Sequence, residues 1–391
     1  MPTSRARNLI YRAALPLLAP SPRGRMQHVL TGAPVGDLPG YERLLRRHHV
    51  LGATLLLARE GRVARVDTSV TRPDHRAAED TVYRVASITK MATALTALML
   101  VQEGAFGLDE PVARLLPEGE KAEGLRGVTL RHLLSHTSGL RDGFDMDMAL
   151  LFHQPFPQVL REEGTRASAP GERFAYCNLG FGLVGCMLEQ ATGKNVAEVF
   201  REKLFEPLGM RATLDASTLE EARIMPISRV LPYRPGRDVT VTRLGRTPLT
   251  DPDPLRHYGH TAGAMYTDAP SLLRLLTLIR DGGVLDGVRL LDAALVREMT
   301  SQQAAYGAAS PGMTYGLGLV QLRDGALSEH RILGHQGYAY GCADGAFYEE
   351  ETGNIVIFLN GGCSEARTGR LGLCNRELLS WALGKELPGW T

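Results

Sequence analysis

Tyr83-Arg84-Val85-Ala86-Ser87-Ile88-Thr89-Lys90 runs directly into residues 91–102, where no side chain carries a charge. A helix apolar on every side is surrounded by protein, so this segment is expected at the centre of the fold. Glu103-Gly104 supplies its C-terminal stop. If the helix begins near Ser87, Lys90 follows three residues later on the same face and its amine reaches the serine hydroxyl. Serine is a weak nucleophile until a partner takes its proton, and a lysine can do so only when its own pKa falls. Burial against apolar side chains and the positive field of a helix N-terminus both disfavour an ammonium, so this surrounding favours a neutral Lys90. Ser-x-x-Lys alone is expected about once by chance in a chain this long. Its place at the start of the most apolar helix gives it weight.

Outward from this segment, residues 51–57 form an apolar run and residues 63–70 mix β-branched with polar side chains. Glu60-Gly61 between them completes the pattern of a β-hairpin. Near the other end, residues 315–322, 343–348 and 355–359 read as strands, with a turn at 350–354, and residues 367–383 read as a closing helix. Helical patterns at 179–191 and 197–204 lie between, punctuated by Pro170-Gly171 and Pro207-Leu208-Gly209. The expected organisation is a basic N-terminal tail over 1–26, an α/β domain assembled from 27–107 and 257–391, and a mainly helical domain over 108–256. Within the last, residues 210–256 are rich in proline and arginine and read as a loop-rich excursion.

Composition narrows the function classes. The chain has 391 residues, with 44 Lys+Arg against 43 Asp+Glu and a net charge of +1, which gives no electrostatic footprint for nucleic acid or an anionic membrane. Its 44% hydrophobic and 22% charged residues are those of an ordinary globular protein. The 5 cysteines are widely spaced without a Cys-x-x-Cys pair, so neither a disulfide scaffold nor a zinc site is expected. No stretch approaches the ~20 apolar residues that span a bilayer. The tail's short apolar run is broken by Pro16 and lacks the features of a secretory signal, which makes a cytoplasmic location the expectation. Gly362-Cys363-Ser364-Glu365-Ala366 lacks the last glycine of an α/β-hydrolase elbow, and His132 and His136 have no glutamate between them for a zinc-protease motif.

Two further stretches stand out. Tyr176-Cys177-Asn178 precedes a helical pattern, and His335-Gln336-Gly337 precedes strand-like residues, with Gly337 allowing a backbone to come close to a ligand. Taken in order, Ser87-x-x-Lys90, Tyr176-x-Asn178 and His335-x-Gly337 resemble the signature of the serine β-lactamase and penicillin-binding protein superfamily. The likeness is to its class C-like branch, which includes family VIII carboxylesterases, D-aminopeptidases, DD-peptidases and acyltransferases. Residues 130–140, 204–210 and 315–318 add supporting phrases, and the likeness extends from about 51 to about 383.

The resemblance implies an α/β (α+β) fold of the β-lactamase/transpeptidase-like type, with an antiparallel sheet flanked by helices, a helical second domain and a groove between them. It implies that Ser87 attacks an acyl carbon, that Lys90 and Tyr176 share the general-base work, and that Asn178 orients Lys90 and the substrate. It places the oxyanion between the backbone N–H groups of Ser87 and Tyr338. His335 is left with three roles: binding a substrate carbonyl, assisting the leaving group, or shaping the groove. No metal or cofactor is needed, and the expected partner is a small ester, amide or peptide. Many β-lactamases carry Lys-Thr-Gly where this chain has His335-Gln336-Gly337, which points towards an esterase or small-peptide hydrolase. The alternatives are a β-lactamase, a DD-peptidase or acyltransferase, and a non-catalytic member that binds peptides or forms a scaffold. Cys177 stands where serine is frequent and reads as a neutral substitution or a pocket thiol.

Overall fold

A computed structural model describes residues 13–15, 17, 26–70, 75–117, 119–142, 166–231, 233–234, 248–308, 310–325 and 327–384. Among them a nine-stranded antiparallel sheet is built from both ends of the chain. Its strands are β1 (Met26–Gly32), β2 (Gly52–Arg59), β3 (Arg62–Val70), β4 (Ala304–Ala305), β5 (Met313–Tyr315), β6 (Val320–Leu322), β7 (Ile332–Ala339), β8 (Cys342–Glu349) and β9 (Ile355–Asn360). They lie in the order β1-β3-β2-β9-β8-β7-β6-β5-β4. The expected hairpin is β2–β3, with Glu60 (φ 49°) and Gly61 (φ 74°) as the two left-handed turn residues. Strand β9 pairs with β2 from Ile355↔Ala58 to Asn360↔Ala53, joining the two ends of the chain into one sheet.

The sheet is covered on both faces, which explains why its central strands read as unbroken apolar runs. Along β9, Ile355, Ile357 and Leu359 enter one core, while Val356 and Phe358 enter the other. The first core also holds the apolar sides of α2 (Thr89–Gln102), α4 (Asn178–Thr192) and α6 (Ala269–Arg280). The second is closed by α1 (Leu38–Arg47) and α8 (Leu373–Leu383) through Tyr41, Leu45, Leu378 and Leu379. Full burial of each such side chain stabilises the fold by about 1.5–3 kcal/mol. Shorter helices, α3 (Leu130–Leu134), α5 (Val196–Phe200) and α7 (Ala293–Thr300), complete the set used below.

Several boundaries differ from the sequence reading. Residues 315–322 form two strands, because the chain turns where Gly318 takes φ 72° and Gly316 N–H bonds Leu319 O at 2.8 Å. Residues 367–372 are not helical: Arg367–Thr368 pairs with Leu371–Gly372 as a small hairpin before α8. Met26, assigned to the tail, starts β1, an edge strand whose exposed residues hid its periodicity. His335-Gln336-Gly337 lies inside β7 rather than ahead of a strand. The described part of 210–256 contains short strands and 3₁₀ turns. Among the described residues no helix is long and apolar enough to cross a membrane.

Candidate active site

Ser87 sits in a 3₁₀ turn (Ala86–Ile88), and the α-helix α2 starts two residues later than expected, at Thr89. Just before the serine, Ala86 is held at φ 45°. The left-handed region costs a residue with a Cβ about 1–2 kcal/mol, so neighbouring contacts must hold it there. Thr89 Oγ1 donates to Ala86 O at 2.6 Å and accepts Met265 N–H at 3.1 Å, and Val85 N–H bonds Met265 O at 3.0 Å. These bonds tie the serine turn to the segment that follows Tyr258.

The same segment reaches Lys90. Its side chain is fully buried, and Nζ lies 3.2 Å from Ser87 Oγ, 2.8 Å from Asn178 Oδ1 and 2.6 Å from Ala262 O. Burial lowers the Lys90 pKa from 10.5 to about 7, against the opposing charge of Asp142. Tyr176 donates from its hydroxyl to Ser87 Oγ at 2.9 Å. Its own pKa is raised, chiefly by burial, so the phenol keeps its proton. Three of the four residues singled out in the first two motifs, Ser87, Lys90 and Tyr176, therefore meet at the Ser87 oxygen.

Asn178 opens α4, and its amide is fixed from behind. Asn178 Nδ2 donates to Asp142 Oδ2 at 2.7 Å, while Asp142 Oδ1 accepts Leu179 N–H at 3.0 Å. One carboxylate thus caps the helix N-terminus and turns the Asn178 carbonyl towards Lys90. Cys177 is buried, its thiol pKa raised by burial, and its Sγ lies 3.8 Å from Asp142 Oδ1. That contact makes it a packed thiol behind the site rather than a reactive one facing the cleft.

Strand β7 supplies the facing wall. A Cβ on Gly337 would stand 2.2 Å from Val85 O, so only glycine lets the strand lie this close to the serine turn. His335 is buried, and burial with the nearby Lys90 charge lowers its pKa to about 3. The neutral ring has both nitrogens engaged: Nδ1 is 2.6 Å from Gln336 O, and Nε2 is 3.0 Å from Tyr315 Oη. These two contacts hold the ring at the cleft wall. Tyr338 lines the cleft, which also touches Ser87, Tyr176, Asn178 and Arg367.

Sequence reasoning missed several contributors. His136 packs its ring 4.2 Å from that of Tyr176 and 4.9 Å from that of Phe181, and its Nδ1 accepts Cys177 N–H at 3.1 Å. Burial and the Lys90 charge keep it neutral. His132 holds the α3 cap, with Nδ1 3.2 Å from Thr129 N, so the two histidines face different tasks. Among the described residues no group of three His, Cys, Asp or Glu could hold a metal ion. Asp142 and the Ala262 carbonyl carry no local signature in the sequence.

An antiparallel sheet flanked by helices, with a serine turn packed beside one of its strands, is the β-lactamase/transpeptidase-like fold. The solved D-amino acid amidase from Ochrobactrum anthropi SV3 complexed with L-phenylalanine amide shares it at a TM-score of 0.70 and 24% identity, covering 88% of this chain and 96% of that one. The Beta-lactamase family matches residues 39–368, and the chain belongs to this family of serine hydrolases. Esterase EstB of Burkholderia gladioli is 29% identical over 384 residues, or 86% of this chain and 92% of that protein. Penicillin-binding protein 4 of Amycolatopsis lactamdurans is 30% identical over 277 residues, or 68% of each chain.

Proposed function

We propose that the chain hydrolyses small esters or amides through an acyl-enzyme on Ser87. The observation that carries this reading is the set of partners around the buried amine of Lys90. A neutral amine has two N–H groups and one lone pair; here Asn178 Oδ1 and Ala262 O take the two donors. The lone pair is left for the Ser87 hydroxyl at 3.2 Å.

Ser87 Oγ attacks the carbonyl carbon as its proton passes to Lys90, forming a tetrahedral adduct. The oxyanion is held by the N–H groups of Ser87 and Tyr338, a type of contribution worth a few kcal/mol per donor. Gly337 supports this by letting β7 lie against the turn that carries Ser87. Tyr176, bonded to the same oxygen, relays the proton to the departing alcohol or amine, the carbon–heteroatom bond breaks, and an ester to Ser87 remains. Water then attacks that ester, with Lys90 and Tyr176 taking its proton and returning it to Ser87. Asn178 orients Lys90 and the substrate, and His335 shapes the groove. The cleft is proposed to lie between the domain of residues 27–107 and 257–391, which supplies Ser87, His335 and Tyr338, and the domain of residues 108–256, which supplies Tyr176 and Asn178.

EstB, an esterase by name, is similar over most of both chains and supports the ester reading. The absence of a lysine at His335 supports an esterase or small-peptide hydrolase over a β-lactamase. Ser87→Ala is expected to abolish turnover of p-nitrophenyl acetate and labelling by a fluorophosphonate probe. Retention of both would overturn the assignment, as would nitrocefin hydrolysis faster than that of simple esters for the substrate ranking.

A further inference from the structure

The two carbonyl oxygens that accept from the Lys90 amine are both anchored on α4. Asn178, Gly182, Gly185 and Glu189 are spaced four, three and four residues apart, so they form one stripe along this helix, about 16 Å from end to end. Asn178 at its start gives Oδ1 to Lys90. Residues 253–262 lie along the rest of the stripe and end in the second acceptor, Ala262 O, 2.6 Å from Lys90 Nζ. A Cβ on Gly182 would stand 1.8 Å from Tyr258 O, and one on Gly185 2.6 Å from Thr261 Oγ1, so the two glycines let the segment lie directly on the helix. Thr261 Oγ1 donates to Phe181 O at 2.7 Å. At the far end the buried Glu189 carboxylate accepts Asp253 N–H at 2.8 Å, and its Oε1 lies 2.7 Å from His257 Nδ1. From the other side, Thr93, buried one turn beyond Lys90 on α2, donates to Thr261 O at 2.7 Å, with a longer contact of 3.1 Å to Thr89 O of its own helix. Neighbouring carbonyls, Thr261 O and Ala262 O, thus bond neighbouring turns of α2. A buried carboxylate is costly unless its partners use its charge, and two of the groups that Glu189 engages belong to the segment that ends at Lys90.

We propose that Glu189 and Thr93 are positioning residues for the base, holding residues 253–262 from opposite sides so that Ala262 O fixes the direction of the Lys90 lone pair. The inference rests on the acyl-enzyme reading above and extends it to two side chains that are not among the described residues lining the cleft. With Ala262 O displaced, the amine no longer keeps its lone pair on Ser87, and a misplacement of about 1 Å can cost about a hundredfold in rate. The ammonium form has three N–H groups to place, on Ser87, Asn178 and Ala262, and loses the shortest of these bonds. The charged form is disfavoured, so the amine becomes neutral at a lower pH.

The test follows kcat/KM for p-nitrophenyl acetate from pH 5 to 9 in Thr93→Val, Thr93→Ser and Glu189→Gln, with thermal melting by circular dichroism to report the fold. Thr93→Val keeps the shape of the side chain and removes its hydroxyl, Thr93→Ser keeps the hydroxyl, and Glu189→Gln sets an amide group among N–H donors. Asp142, Cys177, His136, His335 and Tyr176, the titratable groups that face Lys90, are unchanged in all three. Thr93→Val and Glu189→Gln are expected to lower the plateau about tenfold. They are also expected to raise the ratio of activity at pH 5.5 to that at pH 9 about threefold, as the knee moves to lower pH. Thr93→Ser is expected to recover most of both. Either variant, folded and with the wild-type plateau and knee, would overturn the inference while leaving the hydrolase reading in place. So would a lowered plateau with an unmoved knee, or a Thr93→Ser protein as impaired as Thr93→Val. Thr93→Val decides the matter if Glu189→Gln does not fold. Absence of both turnover and fluorophosphonate labelling in the wild-type protein would overturn the two readings together.

Discussion

If Lys90 must be neutral to accept the serine proton, acylation should follow its titration. The displacement of its pKa from 10.5 to about 7 corresponds to on the order of 5 kcal/mol against the charged form. At pH 7 about half of the protein then holds a neutral amine, against about one molecule in three thousand for an unshifted lysine. Acidification to pH 5 leaves about one in a hundred, so kcat/KM for p-nitrophenyl acetate should fall about a hundredfold from its plateau. Asp142 opposes the displacement, so Asp142→Asn should move the knee of the profile to lower pH and raise relative activity at pH 5–6. Measurement uses initial rates from pH 5 to 9, corrected for spontaneous hydrolysis. A flat profile, a knee above pH 9, or a knee moved upward in Asp142→Asn would refute the reasoning. The same displacement affects stability. Because folding lowers this pKa, the unfolded chain holds the extra proton between about pH 7 and 10.5, and the Lys90 contribution to unfolding free energy rises with pH across that window. Lys90→Met should remove that part of the slope in denaturant titrations.

Other consequences are accessible to simple variants. Lys90→Ala and Tyr176→Phe should each reduce acylation strongly, and their combined loss in log kcat/KM should be smaller than the sum, since both act on one proton; full additivity would contradict a shared path. Gly337→Ala must displace Val85 O from a Cβ 2.2 Å away, so it should cost about 1–3 kcal/mol in chemical denaturation and lower ester turnover as β7 separates from the serine turn. Buried Glu189 accepts Val196 N–H at 2.8 Å and Asp253 N–H at 2.8 Å, and its Oε1 lies 2.7 Å from His257 Nδ1. Glu189→Ala strands these donors and should destabilise by about 3 kcal/mol or more, seen as a lowered Tm.

The parts of this fold that were legible are those whose residues carry their own periodicity or punctuation. The buried helix after Ser87, the Glu60-Gly61 hairpin and the apolar run of Ile355 to Leu359 are determined locally, and each lies where its sequence suggested. Strand β1 was hidden because an exposed edge needs no alternation, and the hairpin at 367–372 was absorbed into the adjoining helical pattern. At the candidate site, Ser87, Lys90, Tyr176 and Asn178 were recognisable as spaced side chains. Their supports were not: a backbone carbonyl at Ala262, a carboxylate at Asp142 and a ring at His136 act through tertiary contact alone. His335 lies at the cleft with its ring nitrogens near Tyr315 Oη and Gln336 O, contacts that its motif position does not reveal.

The central claim is that Ser87 becomes covalently acylated during turnover. Quenching the protein with acid during steady-state hydrolysis of a slowly deacylated ester, followed by peptide mapping in a mass spectrometer, tests it directly. The account predicts the acyl mass on the peptide containing Ser87 and on that side chain. Steady hydrolysis with no adduct, or with the acyl group on another residue, would contradict it.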